Sequence, residues 1–225
     1  MRKYNLEDER KRLKLLSEYE KEAYLKGFKY IAGVDEVGRG TIAGPVAAGA
    51  VILPRDFFLP GVNDSKKLTE KRRTELAGEI KKRAISWSVA YVWPHIIDEI
   101  NILNATRLAM KLAVENLSLK PDLVLTDAVK IPDIYIEQMN ITRGDSLSIS
   151  IACASILAKV ERDNSMKNFE MIYPGYRFSE HKGYATRKHV EELVKQGVCS
   201  MHRKSFEPVK SMVCGGKDVQ MCLFE

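Results

Sequence analysis

From Tyr30 to Asp35 the chain is strand-like and apolar, and it ends in the adjacent carboxylates Asp35 and Glu36, with Gly38-Arg39-Gly40 close behind. No other segment constrains the fold so tightly. Acids at the end of a buried strand are costly unless something pairs with them. In a continuous strand Asp35 and Glu36 point to opposite faces, so both approach one cation only if the chain turns there, and Gly38 permits a turn. A tight turn with solvated acids is the plain alternative for Asp-Glu-x-Gly. The apolar stretches on either side make it less comfortable here. Gly38-Arg39-Gly40 reads either as loop punctuation or as a backbone that comes within hydrogen-bonding distance of a sugar or phosphate because no Cβ intervenes, with Arg39 neutralising charge.

The remaining pattern alternates strand and helix. Asn5 and Asp8 start an amphipathic helix that Gly27 stops, and Pro45 to Leu53 is a second strand whose nearly unbroken apolar character predicts burial on both faces. Thr69 caps a basic helix running to about Arg83, and Ile85 to Val92 alternates like a strand. Ala105 to Leu117 has helical spacing, Leu123-Val124-Leu125 is a short buried strand ending at Asp127, and a weak strand is expected near Ile134. Ile149 to Ile172 reads as one long helix, and Thr186 to Gln196 as a further one closed by Gly197. Strands before and between helices predict an α/β domain with a mixed sheet and a helical C-terminal portion.

Other carboxylates have bland readings when taken alone. Asp127 ends an apolar strand, where sites collect in open α/β sheets, yet a single such residue is an ordinary turn aspartate. Asp145 precedes the long helix and suits the positive end of its dipole; Asp163 is most simply an i,i+4 partner of Lys159. Gathered together, Asp35, Glu36, Asp127 and Asp145 would repel one another strongly, and divalent cations would relieve the repulsion, the arrangement two-metal phosphodiester chemistry needs. Spacing leaves the convergence open.

Composition narrows the partners. The 225 residues are 45% hydrophobic and 29% charged, ordinary for a globular chain and opposed to wholesale disorder. The net charge is +6, and setting four carboxylates aside as a metal site leaves the remainder at +10, which favours a polyanionic partner. Four cysteines without CxxC pairing argue against structural zinc. Met1-Arg2-Lys3-Tyr4 leads into charges rather than an apolar segment, and nowhere do 18 apolar residues run together, so a cytoplasmic protein without membrane contact is expected.

Five blocks resemble ribonuclease HII and occur in that family's order: Ile31 to Leu53, Asn63 to Leu68, Ala152 to Asp163, His181 to Thr186 and His202 to Pro208. The resemblance implies a ribonuclease H-like mixed sheet flanked by helices, with an N-terminal helical extension (1–29), a catalytic core (30–170), a helical portion completing the substrate site (171–214) and a flexible tail (215–225). It implies that Asp35, Glu36, Asp127 and Asp145 are the catalytic acids, holding two Mg²⁺ or Mn²⁺ ions. Gly38, Arg39 and Gly40 match the loop that senses the 2′-hydroxyl, Tyr184 the tyrosine that packs on the sugar beside the scissile linkage, and Ser65 and Lys66 a segment assigned to phosphate contacts. Lys159 and Arg162 are either phosphate ligands or a solvated helix face. His181 and His202 are given no catalytic role. Asp127 sits in Thr-Asp-Ala-Val where the family usually has Val-Asp-Gly, and Cys153 replaces Ala or Ser.

The implied activity is hydrolysis of the RNA-containing strand of RNA/DNA hybrids and cleavage 5′ to ribonucleotides embedded in duplex DNA, leaving 3′-hydroxyl and 5′-phosphate ends, by a monomer. Gln220-Met221-Cys222-Leu223-Phe224 resembles the peptide with which bacterial replication proteins dock on the sliding clamp; a greasy terminus folded back on the domain is the alternative. Two other functions compete. A nuclease or resolvase of the same fold would cut all-DNA junctions with indifference to ribose. A binding module without catalysis would gain nothing from four acids facing phosphate, which speaks against it.

Overall fold

The computed structural model describes residues 5–214. Its N-terminal segment is two helices where one was expected, α1 (Leu6–Leu16) and α2 (Glu18–Leu25). They part at Ser17, whose hydroxyl donates back to the Leu13 carbonyl at 2.8 Å, a local bond that competes with helix continuation. Buried acids tie both helices down. Glu9 accepts from the Arg12 guanidinium and from the Gly61 N–H, and Glu20 from the Ser148 hydroxyl and the Ser150 N–H.

Next come β1 (Ile31–Val37), β2 (Val46–Ile52), α3 (Glu70–Arg83), β3 (Ser86–Val92), α4 (Pro94–Glu115), β4 (Leu123–Asp127), β5 (Glu137–Ile141) and α5 (Ile149–Ile172). The short helices α6 (Phe178–His181), α7 (Arg187–Gln196) and α8 (Val209–Cys214) follow. The strands form one sheet in the order β3-β2-β1-β4-β5, with β1 antiparallel to β2 and parallel to β4, and β4 parallel to β5. It is the mixed α/β sheet expected. Every residue of β2 is buried, as its apolar run required, and Thr69 caps α3 by accepting from the Arg72 N–H.

Two elements differ from expectation for identifiable reasons. α4 begins at Pro94 rather than Ala105, with a break at Asn101 (φ 65°) whose side-chain oxygen accepts from the Leu103 and Asn104 N–H groups. Asn101 is an internal N-cap, so the helical period restarts there. β5 lies at Glu137–Ile141 rather than near Ile134. It is the sheet edge and buries only Ile141, so it carries no apolar alternation.

α5 meets the sheet at backbone distance. A Cβ at Gly33 in β1 would stand 2.1 Å from the Ser150 carbonyl carbon, so glycine is required. Gly49 of β2 meets α5 in the same way: a Cβ there would stand 2.5 Å from the Ala154 carbonyl oxygen and 3.3 Å from the Ala158 Cβ.

The chain forms two compact units. One holds residues up to Val37 with Ala47–Ala90 and Arg107–Val160; the other holds Gly38–Val46, Tyr91–Thr106 and the chain from Glu161 onward. The first has its main core around Val51, Leu76, Ile80, Ile156 and Leu157. The second is built on Ala43, Met166, Tyr176, Phe178 and Met201. Among the described residues Cys153, Cys199 and Cys214 are free, and no helix is long and apolar enough to cross a membrane. Gln220 to Phe224, with the docking peptide expected there, lie outside the described residues.

Candidate active site

The four carboxylates all belong to the first unit. The β1–β2 ladder is unbroken from Ala32 to Val37. Asp35 and Glu36 therefore leave the strand on opposite faces, and the expected turn comes only at Gly38 (φ 86°), because Val37 still pairs with Ala47. Asp35 is buried and Glu36 half-buried. Asp127 is the last residue of β4, and its Oδ1 accepts from the Gly144 N–H at 2.9 Å, which ties the strand end to the turn carrying the buried Asp145. Ala128 next to it has φ 56°, the left-handed region. That is the position where the family usually has glycine.

Charge and burial act on these groups together. Burial first, then the charges of Glu36 and Asp127, push the Asp35 carboxyl well above the usual carboxylate range, against a hydrogen bond from Ser155. Burial, Asp64 and Asp127 likewise raise Asp145, with Lys66 opposing. Partial burial works against the Lys66 ammonium, but Asp145, Asp35 and Asp64 outweigh it and hold Lys66 above its ordinary value. Lys66 Nζ stands 3.6 Å from Asp145 Oδ2. Ser65 is buried, and its hydroxyl shares a 2.9 Å bond with that of Ser155. Ser65 thus stands behind Asp35, while the exposed Lys66 reaches toward Asp145.

All four acids are hard oxygen donors of the kind Mg²⁺ and Mn²⁺ take, and bound cations would relieve their mutual repulsion. Among the described residues, no three His, Cys, Asp or Glu side chains are already drawn together into a metal-holding group. The donor chemistry fits divalent ions, and Asp145 is turned to Lys66.

The second unit carries Gly38, Arg39, Gly40 and Tyr184. Two arginines with no exposed surface, Arg162 and Arg203, organise this loop. Arg162 donates to the carbonyls of Pro45, Ala43 and Lys182 and to the Thr41 hydroxyl. Arg203 donates to the carbonyls of Gly44, Arg39 and Gly38 at 3.0, 2.8 and 2.6 Å. Burial and the Arg162 charge pull the Arg203 guanidinium down to about 9. A Cβ at Gly38 would lie 2.2 Å from Arg162 Nε, whereas one at Gly40 would meet nothing.

The turn bearing Tyr184 belongs to the same scaffold. The Gly183 carbonyl accepts from the Ile42 and Ala43 N–H groups, and the Tyr184 side chain is 42% exposed. Arg162 is therefore neither a phosphate ligand nor part of a solvated helix face. Arg203 carries no signal of its own in the sequence, because one arginine between His202 and Lys204 looks like surface; what marks it is the set of loop carbonyls it satisfies. Lys159 is half-buried on α5, and Asp163 is buried.

A mixed five-stranded sheet flanked by helices, with acids near the ends of two neighbouring central strands and a glycine-rich loop following one of them, is the architecture of the ribonuclease H-like class. The fold is similar to that of ribonuclease H2 from Pyrococcus horikoshii, with a TM-score of 0.68 at 23% identity over 82% of this chain and 97% of that one. It is also similar to the structure of the PCNA:RNase HII complex from Archaeoglobus fulgidus, with a TM-score of 0.64 at 26% identity over 80% and 96%. Bst-RNase HIII in complex with Mn²⁺ has a TM-score of 0.66 at 18% identity over 85% and 71%. The family model for Ribonuclease HII matches residues 32–209. Ribonuclease HII of Syntrophomonas wolfei is 64% identical over 219 residues, covering 97% of this chain and 86% of the relative, and that of Acetivibrio thermocellus is 55% identical over 188 residues, covering 84% and 73%. The chain belongs to the ribonuclease HII family, and its activity class is that of a ribonuclease H, an endonuclease.

Proposed function

We propose that the protein hydrolyses the RNA-containing strand of RNA/DNA hybrids and cuts 5′ to ribonucleotides embedded in duplex DNA, leaving 3′-hydroxyl and 5′-phosphate ends. The observation that carries this reading is the buried Asp35 at the end of β1, its carboxyl raised by burial and by the charges of Glu36 and Asp127. Asp35, Glu36, Asp127 and Asp145 would hold two Mg²⁺ or Mn²⁺ ions. Bound there, such ions supply a nucleophilic water at neutral pH and stabilise the departing oxygen. Bst-RNase HIII, of similar fold, is solved with Mn²⁺.

The chain's own residues do the rest. Ser155, steadied by Ser65, keeps Asp35 oriented. Lys66 and Lys159 supply positive charge for phosphate. Removing a misplaced ribonucleotide calls for reading the 2′-hydroxyl and not the sequence, and the clamped Gly38-Arg39-Gly40 backbone is suited to that, with Tyr184 packing on the neighbouring sugar. Residues 171–214 complete this substrate site. The peptide Gln220 to Phe224 docks on a sliding clamp; the RNase HII of Archaeoglobus fulgidus has been solved with PCNA, which supports a clamp partner. Deleting residues 220–225 should abolish retention on immobilised clamp.

The deciding experiment is cleavage of a DNA duplex carrying one ribonucleotide, with Mg²⁺ or Mn²⁺, by wild type and Asp35→Asn beside an all-DNA control. One metal-dependent cut on the 5′ side of the ribonucleotide, absent in the variant, is the expected result. Cleavage of long hybrids only would remove the roles given to Gly38, Arg39, Gly40 and Tyr184.

A further inference from the structure

Three of the four histidines, His181, His189 and His202, meet inside the second unit. The rings of His181 and His189 stack at 3.9 Å, and Phe178 packs edge-on against both. The hydrogen bonds assign every proton. The Cys199 N–H donates to His202 Nδ1 at 3.1 Å, which leaves the proton of the neutral ring on Nε2. His202 Nε2 stands 3.1 Å from His189 Nε2, which must accept. His189 then carries its proton on Nδ1, 2.8 Å from the Tyr184 carbonyl, a group that can only accept.

His181 obeys the same arithmetic. The Gly183 N–H donates to its Nδ1 at 3.1 Å, and its Nε2 donates to the Tyr176 carbonyl at 2.6 Å. Each ring uses one donor and one acceptor, so the Cys199–His202–His189–Tyr184 chain closes only when His189 and His202 are neutral, and the bonds of His181 likewise fit its neutral ring. Protonating His189 or His202 would set two donors face to face.

We infer that the His202–His189 pair is a positioning device for Tyr184: a neutral hydrogen-bond chain, anchored at Cys199, that fixes the backbone from which the exposed tyrosine ring projects. The Tyr184 backbone is held at three points, its N–H by the His181 carbonyl and its carbonyl by the Thr186 N–H and His189 Nδ1. An exposed ring on a fixed backbone loses less freedom when it packs on a ligand. The surroundings keep the rings neutral. Burial, with the charge of His181, holds His189 at about 3, and burial holds His202 at about 4. The groups facing the cluster are the Cys199 thiol, 3.1 Å from His202 Nδ1, and Glu192, 3.7 Å from His181 Nε2, with Glu170, Glu180 and Lys182 acting on His181.

This inference rests on reading Tyr184 as the residue that packs on the sugar, and the test separates the two. KM and kcat are measured on the single-ribonucleotide duplex for Tyr184→Ala, His189→Leu, His189→Asn and the Tyr184→Ala/His189→Leu double variant. An asparagine amide can still donate to the Tyr184 carbonyl; leucine cannot. Tyr184→Ala and His189→Leu should each raise KM about tenfold, the scale of one lost net hydrogen bond, with kcat within about twofold. His189→Asn should stay near wild type, which also guards against a leucine variant that fails to fold. The double variant should be no worse than Tyr184→Ala, since the histidine acts through the tyrosine.

Additive losses, an inert His189→Leu, or a fall in kcat would overturn the inference. An unchanged KM in Tyr184→Ala would overturn the sugar reading instead, and the histidine chain is then judged by ¹⁵N NMR of the imidazoles at pH 7. His189 protonated on Nδ1 and His202 on Nε2 uphold it; any other tautomers refute it.

Discussion

Arg203 donates to the carbonyl of Gly38 at 2.6 Å, so a fully buried cation holds the first residue of the Gly-Arg-Gly loop by its backbone. The same fork reaches Arg39 and Gly44. Arg203→Lys keeps the charge but replaces the rigid guanidinium fork that serves three separate carbonyls with a single ammonium. Leaving buried carbonyls unpaired costs about 1–3 kcal/mol each. The variant should melt lower, and cleavage at a single ribonucleotide should drop at least about tenfold. Wild-type selectivity in a folded Arg203→Lys enzyme would count against the loop's role.

The two glycines of the loop should separate fold from substrate. Gly38 has φ 86° and sits against Arg162, so Gly38→Ala should destabilise by about 2 kcal/mol or more. A Cβ at Gly40 meets nothing in the protein. Gly40→Ala should melt like wild type yet bind the ribonucleotide duplex several-fold more weakly, read as KM. An unaltered KM would mean that no sugar or phosphate approaches that backbone.

Ala128, beside Asp127, carries a conformational penalty. A non-glycine residue in the left-handed region costs about 1–2 kcal/mol, while the extra freedom glycine gives the unfolded chain costs about 0.4–1 kcal/mol. The first effect is larger. Ala128→Gly should therefore stabilise by roughly 0.5–1 kcal/mol, raising the melting temperature by about 2 °C for a chain of this size. A lower melting temperature would show that the strain at Ala128 is not the dominant effect.

Acid should weaken the fold through the histidines. His189 and His202 ionise at about 3 and about 4 when folded, against an ordinary 6.5. Between those values the unfolded chain binds protons that the folded chain refuses, so their contribution is full above pH 6.5 and is lost as pH falls toward 4 and then 3. Each histidine loses about 1.4 kcal/mol per pH unit in that window. Asp35, whose carboxyl is raised, has the opposite sign, its contribution being present at low pH and lost as pH rises. Urea midpoints of wild type and His189→Asn between pH 7.5 and 5 isolate the histidine part: the wild-type curve should fall more steeply, and parallel curves would exclude it.

Glu20 should prove structural for the N-terminal helices. Its carboxyl, raised by burial, accepts from Ser148 and Ser150 at the start of α5. Glu20→Ala removes an acceptor from a helix N-terminus, at about 0.5–2 kcal/mol. Faster proteolysis between residues 5 and 29 should accompany the lower stability; unchanged protection would detach Glu20 from the docking of α2.

Much of this protein was legible in residue order because its strongest signals are local. The apolar runs of β1 and β2, Thr69 before α3, and the long period of α5 each follow from burial or capping within one segment. The candidate acids stood out because charge at the end of an apolar strand is anomalous wherever it occurs. β5 is hard to place from sequence because an edge strand with one buried residue carries no alternation, and Ser17 and Asn101 act through single side-chain bonds that no periodicity announces.

Only the tertiary structure decided what surrounds the site. That Arg162 and Arg203 are interior, that Ser65 lies behind Asp35, and that His189 and His202 share a hydrogen bond all depend on residues distant in sequence meeting in space. A buried cation and a surface cation are the same letter. Whether a polar side chain faces water or an unpaired carbonyl depends on which backbone groups the fold leaves without partners, and no local run of residues contains that information.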